Sequence, residues 1–196
     1  PQKLRKILPG LKIASITRRA KYILIDCSAG WLIIHLGMSG SLRVLNPSSE
    51  TPTKHEHYDL HVSNNNIIRY RDPRKFGALI WTANNPNDHR LISHLGPEPL
   101  DDEFNSDFLH QKLQTKSSAV KLQIMNNQVV TGVGNIYANE SLFHAGIRPS
   151  RRANDVSRRK LERLITAIKT TLKRAIRAGG SSLQDFYLAD GSTGYF

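Results

Sequence analysis

The segment TGVGNIYANESLFHAG (131–146) has the residue types of a main-chain anion site. Gly132 and Gly134 stand just before a helical pattern, where small residues let backbone N–H groups point outward and the helix dipole favours negative charge. No Gly-Lys-Ser or Gly-Lys-Thr follows, so the segment is not a nucleotide-binding P-loop, and no βαβ unit with a third glycine surrounds it. The pattern therefore predicts a loop that binds the phosphate of another kind of molecule.

The charge of the chain indicates which molecule would carry this phosphate. The 196 residues have a formal net charge of +12, which favours a polyanionic partner, with nucleic acid as the leading class. A solvated basic surface and an anionic membrane surface are the alternatives, but the sequence has no long uncharged apolar run. Residues 112–177 contain 14 Lys or Arg and only three acids, so the excess surrounds the glycine loop. A nucleic-acid backbone phosphate is therefore predicted.

Two smaller groups of side chains also have chemical potential. Lys21 follows Arg18 and Arg19, and a cluster of like charges lowers the pKa of an amine and attracts phosphate. A solvated lysine at the end of a strand is the ordinary alternative. His55 and His57 are two residues apart and have the chemistry of metal ligands, but no third ligand is evident in the sequence, so no metal site is predicted.

The elements that must position these residues differ between the two halves of the chain. The first half has seven short runs rich in β-branched, aromatic and leucine residues, separated by Gly, Pro, Ser and Asn, which predicts a β-sandwich or barrel. The single cysteine, Cys27, excludes an internal disulfide and a multi-cysteine zinc site, and is typical of a reducing cytoplasm. The predicted strands lie within 12–19, 21–26, 30–36, 40–45, 58–62, 66–71 and 76–82.

The second half is predicted to be helical. Helices are expected near 105–114 and 117–127, after the glycine loop, and over 156–177, where apolar residues recur every three or four positions. The fold class is therefore α+β, with a β-sandwich over 1–95, a helical domain over 96–178 and a further segment over 179–196. The predicted apolar face of the last helix consists of Leu161, Leu164, Ile165, Ile168, Leu172, Ala175 and Ile176.

Five motifs together resemble one protein family. RRAKY, HLGMSGSL, DPRKFG, LGPEPL and GVGNIYANESLF occur in the order and at the spacing of formamidopyrimidine-DNA glycosylase, over nearly the whole chain. The resemblance implies a β-sandwich facing a helix–two-turn–helix domain, with DNA in the cleft, and the excision of 8-oxoguanine and ring-opened purines followed by strand nicking. The GVGN sequence resembles the phosphate clamp of the family, in which Asn135 would donate to the DNA backbone. Asn135 is also a candidate helix N-cap, and the two roles are compatible.

The resemblance also implies residues that fill the space left by an everted nucleotide. An enzyme acting on a duplex base must evert it and fill the hole, which calls for an apolar plug, a planar polar group and an aromatic wedge. Met38, Arg74 and Phe76 resemble the void-filling triad of the family. Arg74 and Phe76 would share a face on an extended stretch. Each residue alone has a structural alternative: Met38 and Phe76 in the core, and Arg74 paired with Asp72.

Further site residues follow only from the resemblance. The lysine that matches Lys21 is associated with the phosphate flanking the lesion and with β-elimination. The segment GGSSLQDF (179–186) resembles the loop that closes over the everted base. The residues to which the resemblance assigns contacts with DNA or with this base are His55, Lys116, Lys121, Ser181 and Ser182.

The chain departs from the family pattern at the nucleophile. The family uses an amino-terminal proline followed by glutamate, whereas Gln2 follows Pro1 here, and the alignment places Pro1 well inside the first domain. The C-terminal zinc finger of the family would start after Phe196. The chain is therefore expected to be an interior fragment that holds no cofactor itself, with zinc confined to the finger, and to bind DNA without excising a base.

The predicted partner is duplex DNA with oxidised purines or abasic sites, bound by a monomer in the cytoplasm of a bacterium, at its nucleoid, with no membrane involved. The related pyrimidine-lesion glycosylase is an alternative within the class, although LGMSGSL and DPRKFG favour the purine enzyme. A non-catalytic helix–two-turn–helix module that binds nucleic acid is the alternative from another class. The first half of the chain distinguishes a glycosylase from such a module. A protein that only binds nucleic acid does not need separate Met, Arg and Phe side chains to fill the space of an everted nucleotide.

Overall fold

A computed structural model describes residues 2–46 and 51–180 of the chain. The chain divides into two compact units, one running up to Pro86 and including the segment from Arg177, the other comprising Asn87–Ile176. The sequence placed this division at 95/96. Beyond that point, the chain is bonded into the helical unit, since the Gly96 N–H donates to Asn127 O over 2.8 Å.

Within residues 2–46 and 51–86, the first unit has one short helix and seven strands in two antiparallel sheets. Helix α1 precedes a four-stranded sheet with the order β1-β2-β3-β7 and a three-stranded sheet with the order β4-β6-β5. All seven predicted strands are present, and the predicted β-sandwich followed by helices is confirmed. The elements are α1 (Gln2–Ile7), β1 (Ser15–Arg19), β2 (Tyr22–Asp26), β3 (Trp31–His35), β4 (Ser41–Leu45), β5 (Glu56–His61), β6 (Ile67–Arg71) and β7 (Ala78–Thr82).

The larger sheet forms around its central apolar strand. Leu32, Ile33 and Ile34 of β3 are all buried, and Ile25 and Cys27 belong to the same core. A continuous apolar run suits a strand that pairs on both edges, with β2 on one side and β7 on the other. The core of the unit therefore lies beneath β3. The loop that follows His35 starts from a strand that is paired on both edges.

An ion pair between the buried Arg69 and the half-buried Asp59 fixes the smaller sheet. Arg69 on β6 donates through Nε and Nη2 to the two carboxylate oxygens of Asp59 on β5, over 2.9 and 2.8 Å. These residues are directly opposite in the strand register, next to an irregularity at Glu56/Tyr58. A bidentate arginine–carboxylate contact is geometrically specific, so it holds the register of β5 against β6.

The second unit is helical and has its own core. Asn105 caps its first helix, because its side-chain oxygen accepts from the N–H groups of Asp107 and Phe108. The core is formed mainly by Leu, Ile and Val side chains from every helix of the unit. The helices are α2 (Ser106–Leu113), α3 (Val120–Ile124), α4 (Asn135–His144) and α5 (Arg158–Arg177).

The periodic face predicted for α5 is buried except at its end. Ile176 is 66 % exposed, so its assignment to the core was wrong, and Thr171 is buried beside the face instead. Ile176 lies at the margin of the apolar stripe in the last turn, where the helical unit ends. Among the described residues, no helix is both long enough and apolar enough to cross a membrane.

Candidate nucleic-acid interface

The glycine loop lies between α3 and α4 and is anchored from beneath. The buried Thr131 donates from its N–H and from Oγ to Pro97 O, over 3.0 and 3.1 Å. Gly132 has a φ of +75°, and a Cβ added there would meet no atom within 4 Å. Glycine is therefore needed for the left-handed backbone and not for packing, and the space above it is open to a ligand.

Asn135 has a different position from the one predicted as a helix cap. Gly134 is the N-cap of α4, with φ −93° and ψ −178°, and Ala138 N–H donates to its carbonyl over 2.9 Å. Asn135 is the first residue of the helix and is exposed. The predicted capping role of Asn135 was therefore wrong. Because Gly134 has no side chain, no side-chain cap binds the N–H groups of the first turn of α4.

Lys116 and Lys121 belong to a segment that is bonded to a basic loop. Asn154 N–H donates to Lys116 O over 3.0 Å, and Lys121 N–H donates to Pro149 O over 3.3 Å. These bonds place both lysines next to the run RPSRR (148–152). The charge count over residues 112–177 includes these arginines, but none of them was predicted as a site residue, although three arginines in five residues were the available signal. The exposed arginines of the run are Arg148, Arg151 and Arg152.

In the β unit, two loops expose the side chains of the predicted void-filling triad. Met38 is 53 % exposed and Phe76 is 59 % exposed, which rules out the core alternative for both. The Arg74 guanidinium lies over the Phe76 ring, 4.8 Å from its centroid. The two residues share a face as predicted, but on a turn in which Lys75 has a φ of 58°, and not on an extended stretch.

Asp72 organises this turn and was not identified as a site residue from the sequence. It is 1 % exposed, and its carboxylate accepts from Tyr70 Oη, the Gly77 N–H, Ser39 Oγ and the Arg74 N–H. In the part of the chain that the structure describes, Asp72 therefore contacts the backbone of Arg74 and forms no ion pair with its guanidinium. The structural alternative for Arg74, an ion pair with Asp72, is therefore not observed among the described residues. The Arg74 guanidinium lies over the Phe76 ring instead.

The environment of Asp72 also changes its acidity. Desolvation raises the pKa of this carboxyl, but the hydrogen bonds from Gly77, Ser39, Tyr70 and Arg74 outweigh desolvation, so that the pKa falls below its ordinary value of 3.8. The pKa of Asp59 is also lowered, chiefly by its hydrogen bond from Arg69. Both carboxylates thus stay ionised within the folded β unit.

We expect these two aspartates to make the β unit sensitive to acid. A carboxyl with a lowered folded-state pKa stabilises the fold fully above its unfolded pKa of about 3.9, and this contribution is lost as the pH falls through the folded value. The difference in free energy of unfolding between the wild type and Asp72→Asn, or Asp59→Asn, should therefore be largest near pH 6 and should shrink below about pH 4. Urea titrations at several pH values measure it. A difference that stays constant down to pH 2.5 would contradict the assignment.

His55 and His57 are connected to the same turn. Asp72 N–H donates to His55 O over 2.9 Å, and His57 Nε2 lies 2.7 Å from Asp72 O, so this ring nitrogen carries the proton and donates. His55 is half-buried at the edge of β5. Among the described residues, no group of three or more His, Cys, Asp or Glu is placed to hold a metal ion.

Lys21 lies in the two-residue turn that joins β1 and β2. Arg19 pairs with Tyr22 across the turn, Ala20 has a φ of 52°, and Arg18 Nη1 donates to Ala20 O over 2.8 Å. The pKa of Lys21 is lowered, as predicted, but by desolvation and not by the neighbouring arginines. Although the residue as a whole is exposed, enough protein surrounds its amine to disfavour the charged form. The remaining predicted site residues, Ser181 and Ser182, lie outside the described residues.

The chain thus combines a β-sandwich unit, which exposes Met38 and Phe76, with a helical unit that carries the glycine loop ahead of α4. Two family models match the chain: the formamidopyrimidine-DNA glycosylase N-terminal domain over residues 1–79 and the formamidopyrimidine-DNA glycosylase H2TH domain over residues 95–187. The chain belongs to the formamidopyrimidine-DNA glycosylase family.

Relatives and solved structures agree with this assignment. The formamidopyrimidine-DNA glycosylase of Hydrogenovibrio crunogenus is 53 % identical over 189 residues, which are 96 % of this chain and 67 % of the relative. That of Escherichia coli O6:H1 is 52 % identical over 184 residues, 94 % of this chain and 68 % of the relative. The Lactococcus lactis Fpg in complex with DNA containing an abasic site has a TM-score of 0.88 and 33 % identity, covering 99 % of this chain and 71 % of that one. MutM (Fpg) from Thermus thermophilus has a TM-score of 0.85 and 32 % identity, over 95 % and 69 %.

Proposed function

We propose that this chain binds duplex DNA at oxidised purines and abasic sites, as part of a base-excision-repair DNA glycosylase and AP lyase. The observation that carries the proposal is the exposure of Met38 and Phe76 together with the stacking of Arg74 on the Phe76 ring. Folding normally buries such apolar side chains, and two of them on adjacent loops beside a guanidinium suit insertion into a base stack. Family membership and the solved complexes of relatives with damaged DNA support the same reading.

Each of the three residues has a distinct part in nucleotide eversion. Met38 is flexible and apolar, so it fills the volume that the everted nucleotide leaves. Phe76 wedges into the stack, and Arg74 offers a planar set of donors to the base left without its partner. Met38 and Phe76 exclude water from the space left by the nucleotide, and Arg74 pairs with the base that has lost its partner. Both effects offset the free-energy cost of unstacking.

The helical unit supplies the sequence-independent part of the affinity. Asn135 and the first-turn N–H groups of α4 bind a backbone phosphate, while Lys116 and Lys121 neutralise others. In the β unit, His55 and Lys21 contact the backbone near the lesion. These contacts fix the position of the protein on the duplex and carry no sequence information.

Lys21 is also proposed to assist the lyase step. Its lowered pKa increases the fraction of neutral amine, which is the form that accepts a proton during β-elimination. Glycosylase chemistry by Schiff base in this family needs an amino-terminal secondary amine next to a carboxylic acid, and Gln2 supplies no acid. A polypeptide of these 196 residues alone is therefore proposed to bind damaged DNA without excising a base, and zinc is proposed for the finger of the family.

The purine enzyme remains preferred over the pyrimidine-lesion glycosylase and over a non-catalytic module. The exposed Met38, Arg74 and Phe76 favour lesion recognition over simple backbone binding. Because the proposed substrate is chromosomal DNA, we also propose that the protein works in the bacterial cytoplasm at the nucleoid.

Lys116→Ala and Lys121→Ala test the proposed backbone contacts. We expect a log–log salt slope of about −4 to −5 for the wild type, from roughly 5 phosphate contacts, and a slope smaller by about 1 for each variant. Affinity for intact and damaged duplexes should fall by the same factor, since phosphates carry no lesion information. Fluorescence anisotropy between 50 and 300 mM salt would measure this. Lys173→Ala, which removes an exposed lysine of α5, is the matched control, and a wild-type slope near zero would contradict nucleic-acid binding.

A further inference from the structure

We propose that Ser39 and Asp72 act as one positioning unit, which locks the Met38 loop (36–40) to the Arg74 turn (72–77). The three void-filling side chains would then enter the duplex as a single preformed body. The inference rests on the proposed function, because it assigns a purpose to a buried network beneath residues proposed to insert into DNA. Neither residue contacts DNA in this account, so both are positioning residues.

The first link is a hydroxyl shared between the two segments. Ser39 Oγ donates to Asp72 Oδ1 over 2.9 Å and accepts from the Arg74 N–H over 3.3 Å. Ser39 is 8 % exposed, so water does not replace these bonds easily. Met38 directly precedes Ser39 in the chain, and the N–H that Ser39 Oγ accepts belongs to Arg74. One buried hydroxyl therefore connects the backbone beneath the Met38 and Arg74 side chains.

The second link ties the Arg74 turn to the sheet. Asp72 Oδ2 accepts from the Gly77 N–H over 2.8 Å and from Tyr70 Oη over 3.0 Å. Tyr70 is buried in β6 and stacks on Tyr58 of β5, with ring centroids 4.8 Å apart. The turn is therefore closed at both ends by one carboxylate, which is itself held by a packed aromatic pair.

The third link is direct backbone contact between the loops. Gly37 has a φ of +66°, and a Cβ there would lie 2.6 Å from Phe76 C and 2.7 Å from Gly77 N. Gly40 N–H donates to Leu36 O over 2.8 Å and closes the Met38 loop. The loops pack so closely that only a glycine fits between them, so they are not free to move apart without breaking the Ser39 bonds.

A preformed body of this kind affects lesion recognition more than general affinity. Two independent loops would each lose conformational freedom on insertion, and that entropy would be subtracted from the binding free energy. Loops already held in place lose less. Insertion occurs only where a nucleotide is everted, so the gain belongs to the damaged duplex and is absent from the intact one.

The test compares two duplexes of one sequence, intact or with a tetrahydrofuran abasic analogue opposite cytosine, bound by the full chain. Ser39→Ala should lower the ratio of the two affinities about five-fold, the size of one lost hydrogen bond, and leave binding to the intact duplex unchanged. Asp72→Asn should lower the ratio at least as much. The side-chain NH2 of asparagine would face N–H and O–H donors and could accept no hydrogen bond from them. In a Met38→Ala, Arg74→Ala background, Ser39→Ala should have no further effect, since coupled residues are not additive.

Asp59→Asn is the matched control, since it breaks a hydrogen-bonded carboxylate of the same β unit away from both loops. It should lower the free energy of unfolding and leave the affinity ratio unchanged. If Asp72→Asn fails to fold by circular dichroism, Ser39→Ala decides alone. The positioning role is overturned if Ser39→Ala leaves the ratio unchanged, or if its effect persists in full in the double-variant background. A ratio that also survives Arg74→Ala would instead overturn the proposed function.

Discussion

Borohydride is expected to leave this chain uncrosslinked to a duplex that carries one 8-oxoguanine. Reductive trapping requires an iminium between an amine and the sugar C1′. On a duplex that still carries its base, the iminium forms only if a nucleophilic amine stands beside an acid that protonates the leaving base. Gln2 follows Pro1, so the acid of the family motif is missing from that position. Lys21 is a primary amine and would give at most slow lyase action on an existing abasic site.

An extended protein provides the comparison for this experiment. The same chain, extended by the whole upstream segment of the family, which starts with Pro-Glu-Leu-Pro-Glu-Val, and by the zinc finger, should cross-link through its terminal proline. Both proteins should bind the duplex, which separates a missing nucleophile from a failure to bind. Efficient trapping of the 196-residue chain, abolished by Pro1→Gly, would show that Pro1 is the nucleophile and that its placement inside the first domain is wrong.

Arg74→Ala should reduce the preference for a damaged duplex more than any other single change in the loops. If Arg74 donates to the orphaned cytosine, its loss removes about 1–3 kcal/mol of discrimination, equivalent to about 5- to 160-fold in the ratio of affinities. Arg74→Lys should lose most of the same preference, because a lysine keeps the charge but not the planar donors or the stacking on Phe76. Affinities for lesions opposite cytosine and opposite adenine, measured beside the intact duplex, would record the change.

Lys75→Ala is the control for Arg74. Lys75 is exposed in the same turn, with a φ of 58°, and alanine places the same Cβ on that backbone, so the turn should keep its shape. This variant should weaken binding to every duplex to a similar, small extent. Equal losses on intact and damaged DNA for Arg74→Ala itself would make Arg74 a backbone contact.

The sequence was sufficient for the elements because their signals are local. Each strand was marked by a β-branched run between turn residues, and α5 by its 3.6-residue period. The predictions were wrong where the three-dimensional surroundings of a residue determine its position. Ile176 fits the period but lies in the last turn, and Asn135 looks like a cap although Gly134 holds that position. Periodicity does not report where the partner surface ends, nor which of two adjacent residues leaves the helical conformation.

The network beneath the site was not predictable because it joins residues that are distant in sequence. Ser39 and Asp72 are 33 positions apart, and neither carries a signal by itself, since a serine in a turn and an aspartate before a proline are both ordinary. The resemblance singled out only the exposed residues of DPRKFG. Similarly, Lys21 has the lowered pKa expected for it, but the cause is desolvation by the fold, which the adjacent arginines do not reveal.

The central claim is that this chain recognises a damaged nucleotide in duplex DNA. The most direct test is the ratio of dissociation constants of the wild-type chain for an intact duplex and for the same duplex with a tetrahydrofuran site opposite cytosine. An everted, unstacked site lowers the cost of inserting Met38, Arg74 and Phe76, so the damaged duplex should bind about ten-fold more tightly or better at physiological salt. Equal dissociation constants for the two duplexes would contradict the claim and leave only a basic protein that binds DNA through its phosphates.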